Sequence, residues 1–200
     1  MKTSKIAKVL LSFVMAISTV AYANDIYIEQ VGDSSTINIT QDGTGNRIGD
    51  STTPSFIGGG SNVVNIDQVG SNNQLDLVVN DASAALTINT TGSGNIQTVD
   101  CGTLNSAGCS GSTITQTIVG DDNTVTQSLG TGANHTSNIS ITGDTNTVTH
   151  TSTNGATTSA DITVSGNLNT IGVTQSGMVA KSVTVNSTGN SNNISITQSD

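Results

Sequence analysis

Few side chains in this 200-residue protein could do chemistry. His135 and His150 are its two histidines, and Cys101 and Cys109 its two cysteines. General acid–base work needs an imidazole with a patterned partner for its proton, and neither histidine has one nearby in sequence. A zinc site needs more ligands than two thiols, with no histidine at ligand spacing, can give. A disulfide closing the short loop between Cys101 and Cys109 suits an exported chain better. Serine is abundant, but no Gly-x-Ser-x-Gly elbow occurs. The aspartates lie mostly beside turn glycines and do not follow the Gly-Gly-x-Gly-x-Asp pattern of calcium-binding β-rolls. They read better as gatekeepers that slow premature aggregation. The expectation is a protein that is not an enzyme, with no metal and no cofactor, whose histidines pack.

What positions these residues is a repeat. A Gly-x-x-Asn anchor recurs as Gly43/Asn46, Gly70/Asn73, Gly92/Asn95, Gly120/Asn123, Gly143/Asn146, Gly166/Asn169 and Gly189/Asn192, with Gly32/Ser35 as a degenerate first copy. The last four glycines are 23 residues apart. Apolar residues alternate on both sides of each anchor, as in Ile139/Ile141 before Gly143 and Ile171/Val173 after Asn169. Period two means strands, and the intervening Ser and Thr suit an exposed strand face. The Gly-Asp, Gly-Ser and Gly-Asn pairs are turn chemistry, with Gly supplying positive φ and Asp or Asn capping its own backbone. No helical period follows residue 23.

One strand–turn–strand unit of about 23 residues cannot bury its inner face alone. Stacked copies can, each pairing with those above and below at about 4.8 Å. The predicted fold is therefore all-β: an amyloid-like β-solenoid with two facing parallel sheets. Ile, Val and Leu fill its inside, together with the anchor Asn residues and Gln41, Gln68, Gln116, Gln127, Gln175 and Gln198. An unpaired buried amide costs about 1–3 kcal/mol, and a ladder in which each amide donates to its copy in the next rung removes that cost. Segments near 50–61 and 99–111 lengthen two repeats and read as loops bulging from a rung.

The chain ends carry the rest of the prediction. Residues 1–23 combine Lys2, Lys5 and Lys8, an apolar run from Val9 to Val20, and Ala21-Tyr22-Ala23. That is the pattern of a secretory signal peptide cleaved before Asn24, leaving residues 24–200 as one solenoid domain with no membrane span. Two basic residues then face fourteen acidic ones, a net charge of −12, which argues against nucleic acid and anionic membranes as partners. The first strand, with Ile26 and Ile28, and the last, with Ile194 and Ile196, show no candidate cap. Two complementary open ends make a head-to-tail contact that does not close, and hence a filament.

The repeat resembles that of the curlin family, the subunits of bacterial curli amyloid fibres. The clearest copies are Ile37-Asn38-Ile39-Thr40-Gln41-Asp42-Gly43-Thr44-Gly45-Asn46 and Asn65-Ile66-Asp67-Gln68-Val69-Gly70-Ser71-Asn72-Asn73. The resemblance implies secretion through an outer-membrane export pore with a periplasmic chaperone. It also implies assembly at the cell surface, as homopolymer or with a second, nucleating curlin-like subunit, into a fibre for adhesion and biofilm matrix. Two other readings are monomeric. An ice-binding solenoid would use Thr124/Thr126 and Thr147/Thr149, a row that breaks at Thr170/Gly172 and Asn193/Ser195. A carbohydrate-binding adhesin would need aromatic platforms, and aromatics are 2% of this chain.

Overall fold

A computed structural model describes residues 24–26, 28–29, 36–49, 55–56, 58, 62–79, 85–100, 109–130, 134–153 and 157–200. Residues 1–23, and with them the predicted signal peptide, lie outside the described residues, as do Gly32, Ser35 and Cys101. Every described element is a strand. β1 (Asp25–Ile26) and β2 (Ile28–Glu29) precede the first full rung, which is β3 (Thr36–Thr44) and β4 (Arg47–Ile48); β5 (Ser55–Phe56) follows. Then come β6 (Val63–Ser71) with β7 (Gln74–Val78), β8 (Ala85–Thr91) with β9 (Ile96–Asp100), and β10 (Thr113–Val119) with β11 (Thr124–Leu129). The last three rungs are β12 (Thr136–Thr142) with β13 (Thr147–Thr153), β14 (Thr158–Ser165) with β15 (Thr170–Ser176), and β16 (Lys181–Thr188) with β17 (Asn193–Gln198).

The rungs stack as a β-solenoid of two parallel sheets. One sheet runs β1-β4-β7-β9-β11-β13-β15-β17, with β2 and β5 attached; the other runs β16-β14-β12-β10-β8-β6-β3. Register is fixed by period two: inward Val125, Val148, Ile171 and Ile194 form one column, outward Thr126, Thr149, Gly172 and Ser195 the next. A slip by one residue would turn every inward side chain outward, so the buried column locks the stack. Full burial of one Ile or Leu is worth about 1.5–3 kcal/mol, and Ile48, Leu75, Leu77, Ile88, Ile118 and Ile162 are all fully buried.

The first insertion differs from the predicted loop. Ser55 pairs with Ile28, and Phe56 with both Glu29 and Val78, so part of the segment returns to the sheet. Ile48 pairs with Leu75 and Phe56 with Val78, so both described flanks pair with the same strand, β7. The second insertion is also anchored. Cys109 is fully buried in the apolar cluster with Ile114 and Leu129 and is disulfide-bonded. Cys101, the only other cysteine in the chain, lies outside the described residues.

Candidate functional site

The anchor residues form one continuous feature. Asn73, Asn95, Asn123, Asn146 and Asn169 each donate from Nδ2 to Oδ1 of the preceding anchor Asn, over 2.9–3.1 Å. The same Oδ1 atoms also accept the backbone N–H of the following anchor Asn, at 2.9–3.1 Å, up to Asn192. The remaining Nδ2 proton reaches forward: Asn123 donates to Gly143 O and Asn146 to Gly166 O, each at 2.8 Å. One side chain thus ties three successive rungs. From Asn46 to Asn169 the anchor Asn residues are fully or almost fully buried, and stacking gives their amides the partners that burial demands.

The glycines complete the anchor. Gly143 has φ +126°, and a Cβ there would sit 2.2 Å from Gly166 O. Gly43, Gly70, Gly92, Gly120 and Gly166 each meet the next rung's glycine carbonyl in the same way. Only glycine permits both the dihedral and the approach. Gly189, on the last rung, meets nothing closer than Asn192 Nδ2 at 3.6 Å.

A second ladder lies outside the first, and the sequence reading missed it. The backbone N–H groups of Ser93, Asp121, Asp144 and Asn167 donate to Oδ1 of Asp121, Asp144, Asn167 and Asn190, at 2.7–2.9 Å. These side chains therefore accept from the preceding rung, where capping of their own backbone was expected. The signal was present: Asp or Asn follows the anchor Gly in four consecutive repeats. Asn24 was missed too. It takes the ladder place below Asn46, accepting the Asn46 N–H at 3.0 Å and donating to Gly43 O at 3.3 Å, with no Gly-x-x-Asn to mark it.

The glutamines do not form one ladder. Gln41 donates to Gln68 (2.7 Å) and Gln175 to Gln198 (2.9 Å), along the axis. Gln116 instead donates across the core to Gln127 within its own rung, at 2.7 Å. The reason is placement: Gln41 and Gln68 share a column with Thr90, Ile118, Ile141 and Val164, so no amide waits above Gln68. Gln68 Nε2, Gln116 Oε1 and Gln127 Nε2 take no hydrogen bond among the described residues.

Both histidines are fully buried. His150 Nε2 lies 3.2 Å from Gln175 Oε1 and Nδ1 3.1 Å from Ser137 Oγ. Since the amide oxygen can only accept, Nε2 carries the proton and Nδ1 accepts from the serine hydroxyl. His135 Nδ1 lies 2.7 Å from Thr158 Oγ1. Burial lowers the His150 pKa below its ordinary 6.5; the Gln175 hydrogen bond opposes this and the charge of His135 adds to it. A histidine held neutral in the fold makes the unfolded chain the better proton binder at acid pH. Stability is therefore full above 6.5 and falls as pH drops through 6.5 towards the lowered value. His150→Gln, copying Gln127 in the register position one rung earlier, is expected to flatten that fall. Urea unfolding at pH 7 and pH 5 measures it.

At the far end, β16 and β17 each have one edge without a strand among the described residues. Ile194 and Ile196 are half-buried against the core beneath them. Asn192 donates to Thr188 O of its own rung at 3.3 Å. Lys181, on β16, pairs with Asp200 at 2.6 Å, and Asp200 also accepts the Met178 N–H at 2.8 Å. That clip ties the chain end to the β15–β16 turn, a feature the uncapped-end reading did not include. At the other end Ile26 is 53% exposed, and the Ile28 side chain lies outside the described residues. The described residues hold no group of three or more His, Cys, Asp or Glu placed to share a metal ion. No helix among them is long and apolar enough to cross a membrane. Among the described residues, one edge of β16 and one of β17 keep backbone donors and acceptors without a strand partner. Compared with family models, curated proteins and solved structures, the chain matches none.

Proposed function

We propose that the protein is a secreted structural subunit, similar to the curlins, that stacks head to tail into extracellular amyloid fibres serving adhesion and biofilm matrix. The observation that carries this is the Asn ladder, which runs from Asn24 to Asn192 and reaches a rung with no further strand beyond it among the described residues. Asn192 Oδ1 is then the acceptor for Asn24 of a following copy, and the backbone edges of β16 and β17 continue the two sheets. The partners are further copies of the same chain, with a related nucleating subunit as an option. In this reading residues 1–23 direct export to the periplasm, and a chaperone and outer-membrane pore pass the chain to the cell surface.

Purified protein is expected to form thioflavin-positive fibres after a lag that preformed seeds shorten. Fibre diffraction should show spacings near 4.7 and 10 Å. Protein that stays monomeric for days at high concentration, with or without seeds, ends the proposal.

A further inference from the structure

We propose that the outer face of the larger sheet, over β11, β13, β15 and β17, is a water-ordering surface that binds ice. This goes beyond the fibre reading and does not depend on it. Three outward columns run side by side there. The first is Thr124, Thr147, Thr170 and Asn193; the second Thr126, Thr149, Gly172 and Ser195; the third Ser128, Thr151, Thr174 and Thr197. All twelve positions are exposed or half-buried. The third column, with no break over these four rungs, carries the grid past the break at Gly172.

None of the twelve is charged, in a chain with fourteen acidic residues. The same face nearer the N-terminus carries Arg47, Asp76 and Asp100, and the opposite sheet's outer face carries Asp67 and Asp161. Charge is thus absent over one bounded region. Columns repeat at about 4.8 Å across strands, and like-facing residues at about 6.8 Å along a strand. Threonine is stiff at χ1, so its hydroxyl and methyl hold those intervals. The result is a two-dimensional net of weak hydrogen-bonding groups with repeats on the scale of water oxygens in ice. A second copy of this chain would bring the same net, an outcome the test reads, and a sugar chain would seek an aromatic platform, which the twelve positions lack.

The test is ice growth in dilute purified protein. Faceted crystals and a thermal hysteresis gap are expected. Thr149→Asp, at the centre of the grid, should abolish both while leaving the β-sheet circular dichroism unchanged. Thr117→Asp, on the other sheet's outer face, should leave both intact. Should Thr149→Asp lose its sheet signal, Thr126→Asp at an exposed place takes over. Rounded crystals with the unaltered protein, or full activity in the folded grid variant, overturn the proposal. So does a grid variant that changes only the lateral packing of filaments, since that assigns the face to a second copy. Fibre kinetics are read separately, so failure here leaves the stacking proposal standing.

Discussion

Gly189→Ala is expected to leave the solenoid folded and to stop filaments growing from its last rung, whereas Gly143→Ala is expected to cripple the fold itself. Both residues hold φ beyond +100°, so both variants carry backbone strain of about 1–3 kcal/mol. They differ in what the new methyl meets. At Gly143 it would lie 2.2 Å from Gly166 O, a backbone atom held by the Asn146 side chain. Neither can yield without breaking the stack. At Gly189 the nearest atom is a side-chain nitrogen at 3.6 Å, so the methyl costs no contact in the single molecule. It would clash only once another rung sits on the edge. Each anchor glycine points its missing Cβ towards the following rung, so the variant's N-terminal edge stays competent. Added in small amounts to growing wild-type filaments, Gly189→Ala should therefore act as a terminator. Thermal melting and seeded thioflavin kinetics read the two effects apart. Growth of Gly189→Ala at the wild-type rate would rule out stacking on this edge.

The repeat and the anchor were legible in the sequence because each is enforced once per rung. A glycine forbidden a Cβ by its neighbour, and an amide that must match the amide above, leave the same letters every 22 to 28 residues. Elements whose constraint is not repeated were harder to read. Ser55–Phe56 rejoins the sheet through a pairing that nothing in its own composition announces. The glutamines looked periodic, yet Gln116 finds its partner across the core, because the facing strand offers Gln127 where the rung below offers Ile88. His150 likewise depends on Ser137 and Gln175, two residues on different strands. Contacts between sheets mix positions far apart in the repeat, and a one-dimensional period does not encode them.

The ladder also has a direction. In the middle rungs, from Asn73 to Asn146, the anchor Oδ1 faces the following rung and takes two donors from it, while Nδ2 divides its protons between the rungs before and after. The forward edge offers the anchor Oδ1 with the Nδ2 and post-glycine N–H donors, and the backward edge offers the anchor N–H with the glycine carbonyl and Asp or Asn acceptors, so two like edges meeting head to head could not continue the pattern. Stacking by this device is polar. The direction arises from the anchor amide together with the outer Asp and Asn ladder and the glycine approach, all repeated in the same sense.

Asn146→Ala gives the second large effect. The substitution removes donation to Asn123 Oδ1 (3.0 Å) and to Gly166 O (2.8 Å), and acceptance from Asn169 N and Nδ2 (both 2.9 Å). Asn123, Asn146 and Asn169 are all fully buried, so water does not replace the lost partners without opening the turn. Three orphaned groups, Gly166 O, the Asn169 N–H and Asn169 Nδ2, at about 1–3 kcal/mol each, put the loss at about 3–9 kcal/mol. That is a large share of the 5–15 kcal/mol of a typical domain. Asn192→Ala, which loses only the 3.3 Å contact to Thr188 O on the open rung, should cost about 1 kcal/mol or less. Urea unfolding should rank the two in that order; equal losses would mean that the ladder adds nothing beyond a turn preference. Asn146→Asp sharpens the test. It keeps the oxygen that accepts both Asn169 bonds but sets a carboxylate against Asn123 Oδ1 and Gly166 O. Burial and those oxygens favour its protonated form, which can donate once. Relative to wild type, this variant should lose less stability at pH 4 than at pH 7, because the unfolded chain gives up that proton first as pH rises. The trend is opposite to the one that His150 imposes, so the two contributions can be separated in one pH series.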